Sequence, residues 1–390
     1  MSPRDERELR GSTAIVGVAE SDLGEVGPDR TALELAAQAA GRALDEAGLA
    51  TNDVDGLFTH SAFFGMPSVV TAEYLGIRPR YADTSAIGGA SFVSHLRHAT
   101  AAINAGMCEV ALITYGSTQR SAAGGLVTSA TNSLPSYEAP FRPRIPVTSY
   151  ALAAARHMHQ FGTTREQLAE IPVAARKWAQ LNPLAWEHED LSIADVLGAR
   201  MVSTPLTVRD CCLVTDGGGA VVVTSAERAR DLPQPPVYLL GGAETSWHMD
   251  ISGMPDLTVT AASVTGPRAL DLAGYRPADV DVVQLYDAFS INTLLFLEDL
   301  GFCAKGDGGA FVSDGAIAPG GRLPVNTNGG GLSYCHPGMY GIFLTIEATR
   351  QLRGDAGARQ LADPHLALVH GNGGVLSSQA TAILGDASTL

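Results

Sequence analysis

The sequence is poor in basic charge relative to acidic charge. Its 390 residues contain 26 Lys and Arg against 41 Asp and Glu, which gives a formal net charge of −15 at pH 7. Binding to nucleic-acid phosphates needs a basic surface that displaces counterions, so we expect no nucleic-acid partner. The acidic balance still allows an anionic small ligand that a few local arginines would hold.

Long apolar runs and paired cysteines are also missing. The apolar stretches are interrupted by Gly, Thr or Pro and fall short of the ~20 residues that span a bilayer. The start, MSPRDERELRGST, carries charges of both signs instead of the apolar run of a signal peptide. The five cysteines form no CxxC pair, and an odd number suits a reducing compartment. We therefore expect a globular cytoplasmic protein without a membrane span.

Several glycine clusters have none of the common catalytic or nucleotide-binding spacings. GDGG, DGGGA and NTNGGGLS match neither GxxxxGK[ST] nor a strand-positioned GxGxxG, and the sequence has no GxSxG or HExxH. Cys335-His336 and His157-x-His159 lack the ligand spacing of a zinc site. We predict no metal and no cofactor.

One segment of the chain is repeated. Residues 41–58 read GRALDEAGLATNDVDGLF and residues 267–284 read PRALDLAGYRPADVDVVQ, with nine of eighteen aligned positions identical. Each copy predicts an amphipathic helix that ends at Gly48 or Gly274, then an Asp-bearing turn and an apolar strand. The offset of 226 residues indicates two similar halves.

Strand and helix patterns alternate in both halves, which predicts an α/β fold with largely parallel, buried sheets. The DLPQPP linker separates residues 1–231 from residues 236–390. Residues 121–186 break the alternation with a Pro-rich segment and a helix start at Thr164, and we predict an inserted loop-and-helix region over the first half.

The segment NTNGGGLSYCHPGMYG (326–341) combines a glycine run with polar side chains. Pro337 biases His336 toward extended backbone, so this histidine should lie on a loop. Two interpretations are open. The loop binds a ligand through its polar residues, or it is a glycine-rich turn whose histidine bonds to the backbone.

Several segments together resemble the thiolase superfamily. NTNGGGLSYCHPGMYG resembles its GGxxxxGHPxGxxG loop, VQLYDAFSINTLLFLEDLGF its NEAF/HDCF segment, and HGNGGVLSSQATAILG its closing CxGGG segment. FGTTREQLAEIPVAARKWAQLNP and DCCLVTDGGGAVVVTSAERA further resemble the sterol-carrier-protein type. The resemblance covers about Ser12 to Gly385 and implies duplicated βαβ halves in a layered αβαβα arrangement.

Thiolases use two catalytic cysteines, and the resemblance places other residues at both positions. TSAIGGASF puts Ser85 at the nucleophile position, and HGNGGV puts Gly371 at the position of the second cysteine. None of the five cysteines falls at either position, so we expect a site without a thiol. A serine hydroxyl without an adjacent base is a poor substitute nucleophile.

Other family positions are kept or altered. His336 is retained, and the resemblance implies that it helps to hold a thioester oxygen. Tyr286, followed by Asp287, replaces the Asn or His of the NEAF/HDCF segment, and the internal repeat places His60 opposite Tyr286. Tyr340 either joins the catalytic pair or lines the cleft. Tyr286 could instead be a core aromatic residue.

This pattern is similar to that of the actinobacterial steroid side-chain aldolases, which lack the catalytic cysteines. It implies a retro-aldolase that cleaves a carbon–carbon bond of a β-hydroxyacyl-CoA, with CoA as part of the substrate. We expect Tyr286, His336 and Tyr340 as catalytic residues. The expected substrate-binding positions are Ser85, Asp287, Gly371, Asn372 and Gly373, and His370 is a weaker candidate. The alternatives are an acyltransferase that uses Ser85 and a non-catalytic acyl-CoA-binding subunit.

The resemblance also implies partners. We expect a homodimer and a small partner subunit with a zinc ribbon and an OB-fold. Some cation must meet the CoA phosphates, and the sequence offers several candidates in or near the inserted region: Arg120, Arg142, Arg144, Arg176 and Lys177.

Overall fold

A computed structural model describes residues 6–123 and 138–390. The strands are β1 (Thr13–Glu20), β2 (Gly56–Thr59), β3 (Tyr81–Asp83), β4 (Val110–Ser117), β5 (Met201–Ser203), β6 (Leu206–Thr207), β7 (Gly217–Ser225), β8 (Val237–Ser246), β9 (Val282–Leu285), β10 (Leu366–Gly373) and β11 (Ser378–Gly385). The helices are α1 (Ala32–Ala47), α2 (Pro67–Leu75), α3 (Ser91–Asn104), α4 (Gln119–Ala123), α5 (Val147–Phe161), α6 (Arg165–Ala179), α7 (Ile193–Gly198), α8 (Ala226–Ala229), α9 (Ala262–Ala273), α10 (Ser290–Asp299), α11 (Gly308–Val312) and α12 (Gly341–Arg353).

Strands of both halves form one central sheet in the described residues, in the order β3-β2-β4-β7-β1-β8-β11-β10-β9. The two halves join where β1 pairs with β8. The predicted α/β fold is confirmed, but the prediction of a largely parallel sheet is wrong. Only β2 pairs in parallel with β3 and β4, and β9 with β10, whereas the inner strands are antiparallel. These inner strands are buried on both faces along almost their whole length, and a strand buried on both faces looks the same in sequence in either direction.

The predicted repeat is present in three dimensions. Helix α1 ends at Gly48 (φ 67°, ψ 29°) and α9 ends at Gly274 (φ 78°, ψ 25°), both in the left-handed conformation that glycine adopts at low cost. A short 3₁₀ turn follows each helix and leads into β2 or β9. The two positions that follow these strands, His60 and Tyr286, are therefore equivalent by the repeat.

The inserted region contains α5 and α6, and the predicted capping box at Thr164 is present, with Gln167 as its reciprocal partner. The inserted region contacts both halves. Arg165 is paired with Asp210 of the first half at 2.7 Å, whereas Trp178 Nε1 donates to the carbonyl of Ile317 at 2.9 Å and Asn182 Nδ2 to that of Asn328 at 2.9 Å in the second half. Residues 138–149 of the Pro-rich segment are described and include a short 3₁₀ turn at Ala139–Phe141, whereas residues 135–137 lie outside the described residues.

None of the helices in the described ranges has both the length and the apolar content that a bilayer span requires.

Candidate active site

A cavity of about 150 Å³ lies where β9, the start of α3, the inserted region and the 329–341 loop meet. Its polar and aromatic walls come from residues far apart in the sequence: Tyr150, Cys212, Tyr286, Phe289, His336 and Asn372. The backbone of Gly88, Gly89, Gly338 and Gly374 completes much of the lining. This volume accommodates only the reacting end of an acyl-CoA, because whole-ligand pockets are several times larger.

Tyr286 and His336 form a hydrogen-bonded pair in one wall. Tyr286 follows β9 and His336 lies on the glycine-rich loop, and the Tyr286 hydroxyl is 3.0 Å from His336 Nε2. The same hydroxyl lies 3.3 Å from the carbonyl oxygen of Gly338. His336 Nδ1 is buried and has no hydrogen-bond partner among the described residues. The structure therefore brings together two of the three predicted catalytic residues.

One proton arrangement satisfies both contacts of the tyrosine. If the hydroxyl donates to Gly338, it accepts from His336 Nε2–H, and Nδ1 is then an unprotonated acceptor. In the other tautomer Nδ1 carries the proton and Nε2 accepts from the Tyr286 hydroxyl. That arrangement buries an N–H without a partner and leaves the Gly338 carbonyl without a donor, so it is the more costly of the two. His336 Nδ1 is then a buried acceptor without a partner among the described residues, in a histidine that lines the cavity.

Burial fixes the charge states of this pair. Burial lowers the pKa of His336 to about 4, so the imidazole is neutral at pH 7. Burial also raises the pKa of Tyr286 well above its ordinary value, so the phenol remains protonated. The pair consequently offers one neutral acceptor and one neutral hydroxyl donor.

Gly89, not Ser85, lies at the cavity end of α3. A methyl group on Gly89 would be 2.1 Å from Cε2 of Tyr286, so the helix approaches the tyrosine ring through a bare backbone. Helix α3 begins two residues later, and its N-terminal dipole end favours negative charge in the cavity. The prediction that Ser85 occupies this position is therefore wrong by four residues, because the short loop allowed either alignment.

Ser85 has partners of its own outside the cavity. Its hydroxyl donates to Asp83 at 2.8 Å and lies 3.4 Å from His98 Nδ1. Hydrogen bonds to Asp83 and Glu244 raise the pKa of His98 to about 9, so this histidine is cationic at neutral pH. A cationic imidazole cannot accept the serine proton, so the described residues offer Ser85 no activating base.

Asp287 supports the glycine-rich loop and does not line the cavity. Its buried carboxylate accepts from the backbone N–H of Gly331 at 2.6 Å and of Leu332 at 3.3 Å. Burial raises its pKa to about 7. The prediction of direct substrate binding is therefore wrong, since both oxygens face the backbone of residues 331 and 332.

Tyr340 lies behind the pair. Its ring is stacked on His336, with ring centroids 6.2 Å apart, and its hydroxyl donates to Asn328 Oδ1 at 2.8 Å. Tyr340 is fully buried and does not line the cavity. The expectation that its hydroxyl joins the catalytic pair is contradicted, because this hydroxyl is bound to Asn328.

The 370–374 segment contributes alternate residues to the cavity. Asn372 and Gly374 line it, whereas Gly371 and Gly373 pack against the start of α3. A methyl group on Gly373 would be 1.7 Å from the carbonyl oxygen of Ile87, and one on Gly371 would be 3.0 Å from Cα of Ala90. Gly371 and Gly373 thus allow close packing, and the prediction that they bind substrate is wrong.

Tyr150 and Phe289 were not predicted as site residues. Tyr150 comes from α5 of the insertion, and its ring is stacked on Phe289 with centroids 4.3 Å apart. No sequence signal pointed to Tyr150, because its approach depends on how the insertion folds onto the second half. Phe289 is part of the quoted VQLYDAFS segment, so its position next to Tyr286 could have suggested it.

Cys212 also lines the cavity, so the expectation of a thiol-free site is wrong. The N–H of Cys212 donates to the carbonyl of Ala288 at 2.8 Å, and this contact draws residue 212 toward the strand end that carries Tyr286. Burial raises the pKa of the Cys212 thiol well above its ordinary value. The thiol is thus neutral, unlike an activated nucleophile. Cys335 is buried outside the cavity.

The candidate phosphate ligands separate into buried and exposed groups. Arg176 is buried and donates to Ser333 Oγ at 3.0 Å and to the carbonyl of Glu189 at 2.7 Å, so it does not serve an external phosphate. Arg120 is bound to Glu25 at 2.8 Å. Arg142, Arg144 and Lys177 are exposed. The first two precede Pro146 by four and two residues, and Pro146 lines the cavity.

Comparison with known proteins identifies the family. Residues 243–386 match the model of the thiolase C-terminal domain-like family. The 17-hydroxy-3-oxo-4-pregnene-20-carboxyl-CoA lyase of Mycobacterium tuberculosis is 35% identical over 387 residues, covering 94% of this chain and 97% of that protein. An acetyl-CoA acetyltransferase of Methanothermobacter thermautotrophicus is 32% identical over 382 residues, covering 95% and 98%. The solved Ltp2-ChsH2(DUF35) aldolase has a TM-score of 0.88 and 33% identity, covering 97% of this chain and 98% of that one.

The chain belongs to the thiolase superfamily. Its resemblance to the steroid side-chain-cleaving aldolases is confirmed, at 33–35% identity over most of the length. The thiolase fold predicted from the motifs is confirmed as well.

Proposed function

We propose that this protein is a carbon–carbon lyase that cleaves a β-hydroxyacyl-CoA by a retro-aldol reaction. The observation that carries the proposal is the Tyr286–His336 pair, a neutral imidazole with an unpaired buried nitrogen beside a protonated phenol. Retro-aldol cleavage needs a proton acceptor and an oxyanion donor, and it needs no nucleophile. The lyase and the aldolase among the relatives support the same activity.

The reaction balances with these groups alone. The β-hydroxyl loses its proton, the Cα–Cβ bond breaks, and the β-carbon becomes a ketone or aldehyde. The bonding electrons move through Cα onto the thioester oxygen as an enolate, and protonation of Cα then gives the shortened acyl-CoA. The name of the mycobacterial relative's substrate has this pattern, because its 17-hydroxyl is β to the thioester. A steroid side chain is therefore the proposed acyl group.

The electrostatics suggest a division of roles within the pair. We assign the neutral imidazole of His336 as the base that takes the β-hydroxyl proton and returns it to Cα. Tyr286 donates its O–H to the thioester oxygen as negative charge develops there, having left the longer contact to Gly338. Each preorganised donor of this kind is worth about 2.7–4 kcal/mol in the transition state. His336 Nε2–H strengthens the donor, since its own hydrogen bond to Tyr286 polarises the phenol.

Product analysis tests the proposal. The purified protein, with any subunit that copurifies, is incubated with a steroid β-hydroxyacyl-CoA, and both fragments are measured by mass spectrometry. We expect one ketone and one shortened acyl-CoA in equal amounts. Intact substrate would contradict the proposal and favour a non-catalytic acyl-CoA-binding subunit.

Acyl transfer is the second candidate, because one relative is named an acetyltransferase and Cys212 lines the cavity. Incubation with a radiolabelled acyl-CoA followed by peptide mapping separates the two activities. A stable ester on Ser85 or a thioester on Cys212 would favour acyl transfer. The lyase proposal expects no label on either residue, and it expects Cys212→Ser and Ser85→Ala to keep cleavage within about threefold, since neither residue has a stabilised anion.

The proposed substrate and partner follow from the same relatives. We propose that Arg142 and Arg144, which are exposed and precede Pro146 of the cavity lining, meet the CoA phosphates. The name of the solved neighbour joins Ltp2 to ChsH2(DUF35), which supports a small partner subunit of the zinc-ribbon and OB-fold type here. A homodimer of this chain is part of the same proposal. Co-purification and sedimentation of the complex test both assemblies.

A further inference from the structure

A chain of buried hydrogen bonds ends on Asn372, in the cavity wall formed by Tyr150 and the 370–374 segment. His370 Nε2 lies 2.9 Å from Gln379 Oε1, and Gln379 Nε2 donates to Asn372 Oδ1 at 2.8 Å. Asn372 Nδ2 donates to the Tyr150 hydroxyl at 2.9 Å, and that hydroxyl donates to the carbonyl of Gly374 at 2.9 Å. These side chains are at most 2% exposed. We call this set the Asn372 relay.

The donors and acceptors of the Asn372 relay can be assigned in only one way. The carbonyl of Gly374 can only accept, so Tyr150 donates to it and must accept from Asn372. Asn372 Oδ1 then accepts from Gln379, whose Oε1 in turn accepts from His370 Nε2–H. At the far end, His370 Nδ1 lies 2.8 Å from Thr381 Oγ1, which can donate to it. Both side-chain amides are consequently held in a single orientation.

This orientation leaves one amide hydrogen for the cavity. Asn372 Nδ2 has two hydrogens, and in the part of the chain that the structure describes it has one acceptor, Tyr150. Asn372 lines the same small cavity as His336 and Tyr286. A substrate that fills this volume therefore meets a fixed N–H donor in addition to the catalytic pair.

We propose that Asn372 binds the β-oxygen of the substrate, and that Gln379, His370 and Tyr150 are positioning residues for its amide. The inference rests on the proposed function, in which Tyr286 serves the thioester oxygen and His336 takes the β-hydroxyl proton. The β-oxygen then needs a donor that holds it while its proton leaves, and an amide N–H provides this without competing for the proton. The bonds that form and break are those of the proposed cleavage.

The experiment compares two reactions of the same protein. Cleavage of a steroid β-hydroxyacyl-CoA uses the β-oxygen. Exchange of the α-hydrogens of propionyl-CoA in D₂O uses only the thioester enolate and its base. We expect Asn372→Ala and Gln379→Glu to lower kcat for cleavage by about 10²-fold and to leave exchange within about threefold. Tyr286→Phe should lower both reactions by about 10²–10³-fold.

Gln379→Glu also gives a signature that a general structural defect would not produce. When ionised, the carboxylate that this substitution introduces cannot donate to Asn372 Oδ1, so the Asn372 amide turns its oxygen toward Tyr150 and the cavity. His370 Nε2 lies 2.9 Å from this position and can take a proton in place of the carboxyl, as His98 does beside Asp83, so the introduced carboxyl stays ionised. We therefore expect this variant to lose cleavage and keep exchange from pH 6 to 8, so that its ratio of cleavage to exchange lies at least tenfold below that of the unmodified protein at every pH.

Tyr150→Phe is the second variant, because it keeps the stacking on Phe289 and removes only the hydroxyl. Tyr275→Phe is its matched control, since that hydroxyl also donates to a backbone carbonyl, of Thr389 at 3.2 Å, far from the cavity. Tyr150→Phe should lower cleavage at least tenfold and leave exchange unchanged, whereas the control should alter neither reaction.

Every other outcome of these experiments contradicts the inference. Folded relay variants that lose both reactions would place Asn372 on the thioester oxygen. Variants that keep full cleavage would make the relay purely structural. Unmodified protein that exchanges α-hydrogens and cleaves nothing would refute the proposed function, and the inference with it, whereas cleavage that survives in Asn372→Ala refutes the inference alone.

Discussion

Replacing Tyr286 with Phe removes one oxygen atom from the site and keeps the ring. The ring is held by Gly89, whose backbone leaves no room for a side chain, so Phe should occupy the same position. The change removes the hydrogen bond to His336 at 3.0 Å and the contact to Gly338 at 3.3 Å. Loss of one oxyanion donor costs about 10²–10³-fold in kcat, or about 2.7–4 kcal/mol. The buried Nε2 that loses its partner costs about 1–3 kcal/mol of folding free energy.

Tyr340→Phe is the matched control. Tyr340 is equally buried and packs against the same histidine, yet its hydroxyl binds Asn328. Asn328 Oδ1 still accepts from the N–H of Gly330 at 2.9 Å after the change, so this variant should lose only about 1 kcal/mol of stability. We expect its kcat to stay within tenfold of the unmodified protein.

Steady-state kinetics of β-hydroxyacyl-CoA cleavage gives kcat, and chemical denaturation gives the free energy of unfolding. Both are measured on both variants. The expected result is a kcat that falls at least tenfold further in Tyr286→Phe than in Tyr340→Phe. Turnover of Tyr286→Phe within threefold of the unmodified protein would refute the donor role. Equal losses in the two variants would show that general packing, and not the Tyr286 hydroxyl, limits the reaction.

Two further predictions concern acid stability and the bare backbone at Gly89. Burial lowers the pKa of three histidines to about 3 or 4: His95, His336 and His370. Below pH 6.5 the unfolded chain binds protons that the folded chain excludes. Between pH 6.5 and 5.5 each histidine therefore costs about 1 kcal/mol, because the unfolded imidazole is already half protonated at pH 6.5. Asp287, with its pKa raised to about 7, and His98, with its pKa raised to about 9, act in the opposite direction, so urea denaturation at pH 6.5 and 5.5 should show a net loss of about 1–2 kcal/mol; an unchanged midpoint would contradict the burial of neutral imidazoles. Gly89→Ala should abolish cleavage because the new methyl displaces Tyr286, whereas Gly41→Ala, in open space on α1, should leave activity intact and add about 0.5–1 kcal/mol of stability; an active Gly89→Ala variant would show that the ring position is not critical.

Much of the fold could be predicted because its signals are local. The left-handed caps at Gly48 and Gly274 and the capping box at Thr164 each depend on a few neighbouring residues, and all three are present. Strand direction has no local signal, since an apolar strand buried on both faces reads the same either way. The mixed sheet was therefore missed.

The residues of the site also fall into two groups: those that a sequence motif identifies and those that only tertiary packing places. His336 and Tyr286 could be identified because each lies in a motif with several fixed neighbours. Ser85 was placed wrongly because TSAIGGASF allows a shift of four residues, and only the packing of Gly89 against Tyr286 selects the register.

The sequence by itself determined the superfamily, the two-half repeat and the loss of both catalytic cysteines, because these are written in ordered motifs. The tertiary structure alone decided which side chains share the cavity. It turned the Tyr340 hydroxyl toward Asn328, brought Tyr150 in from the insertion and placed Cys212 in the wall. Such contacts join residues that are far apart along the chain, and they depend on how whole elements pack, which no local pattern records.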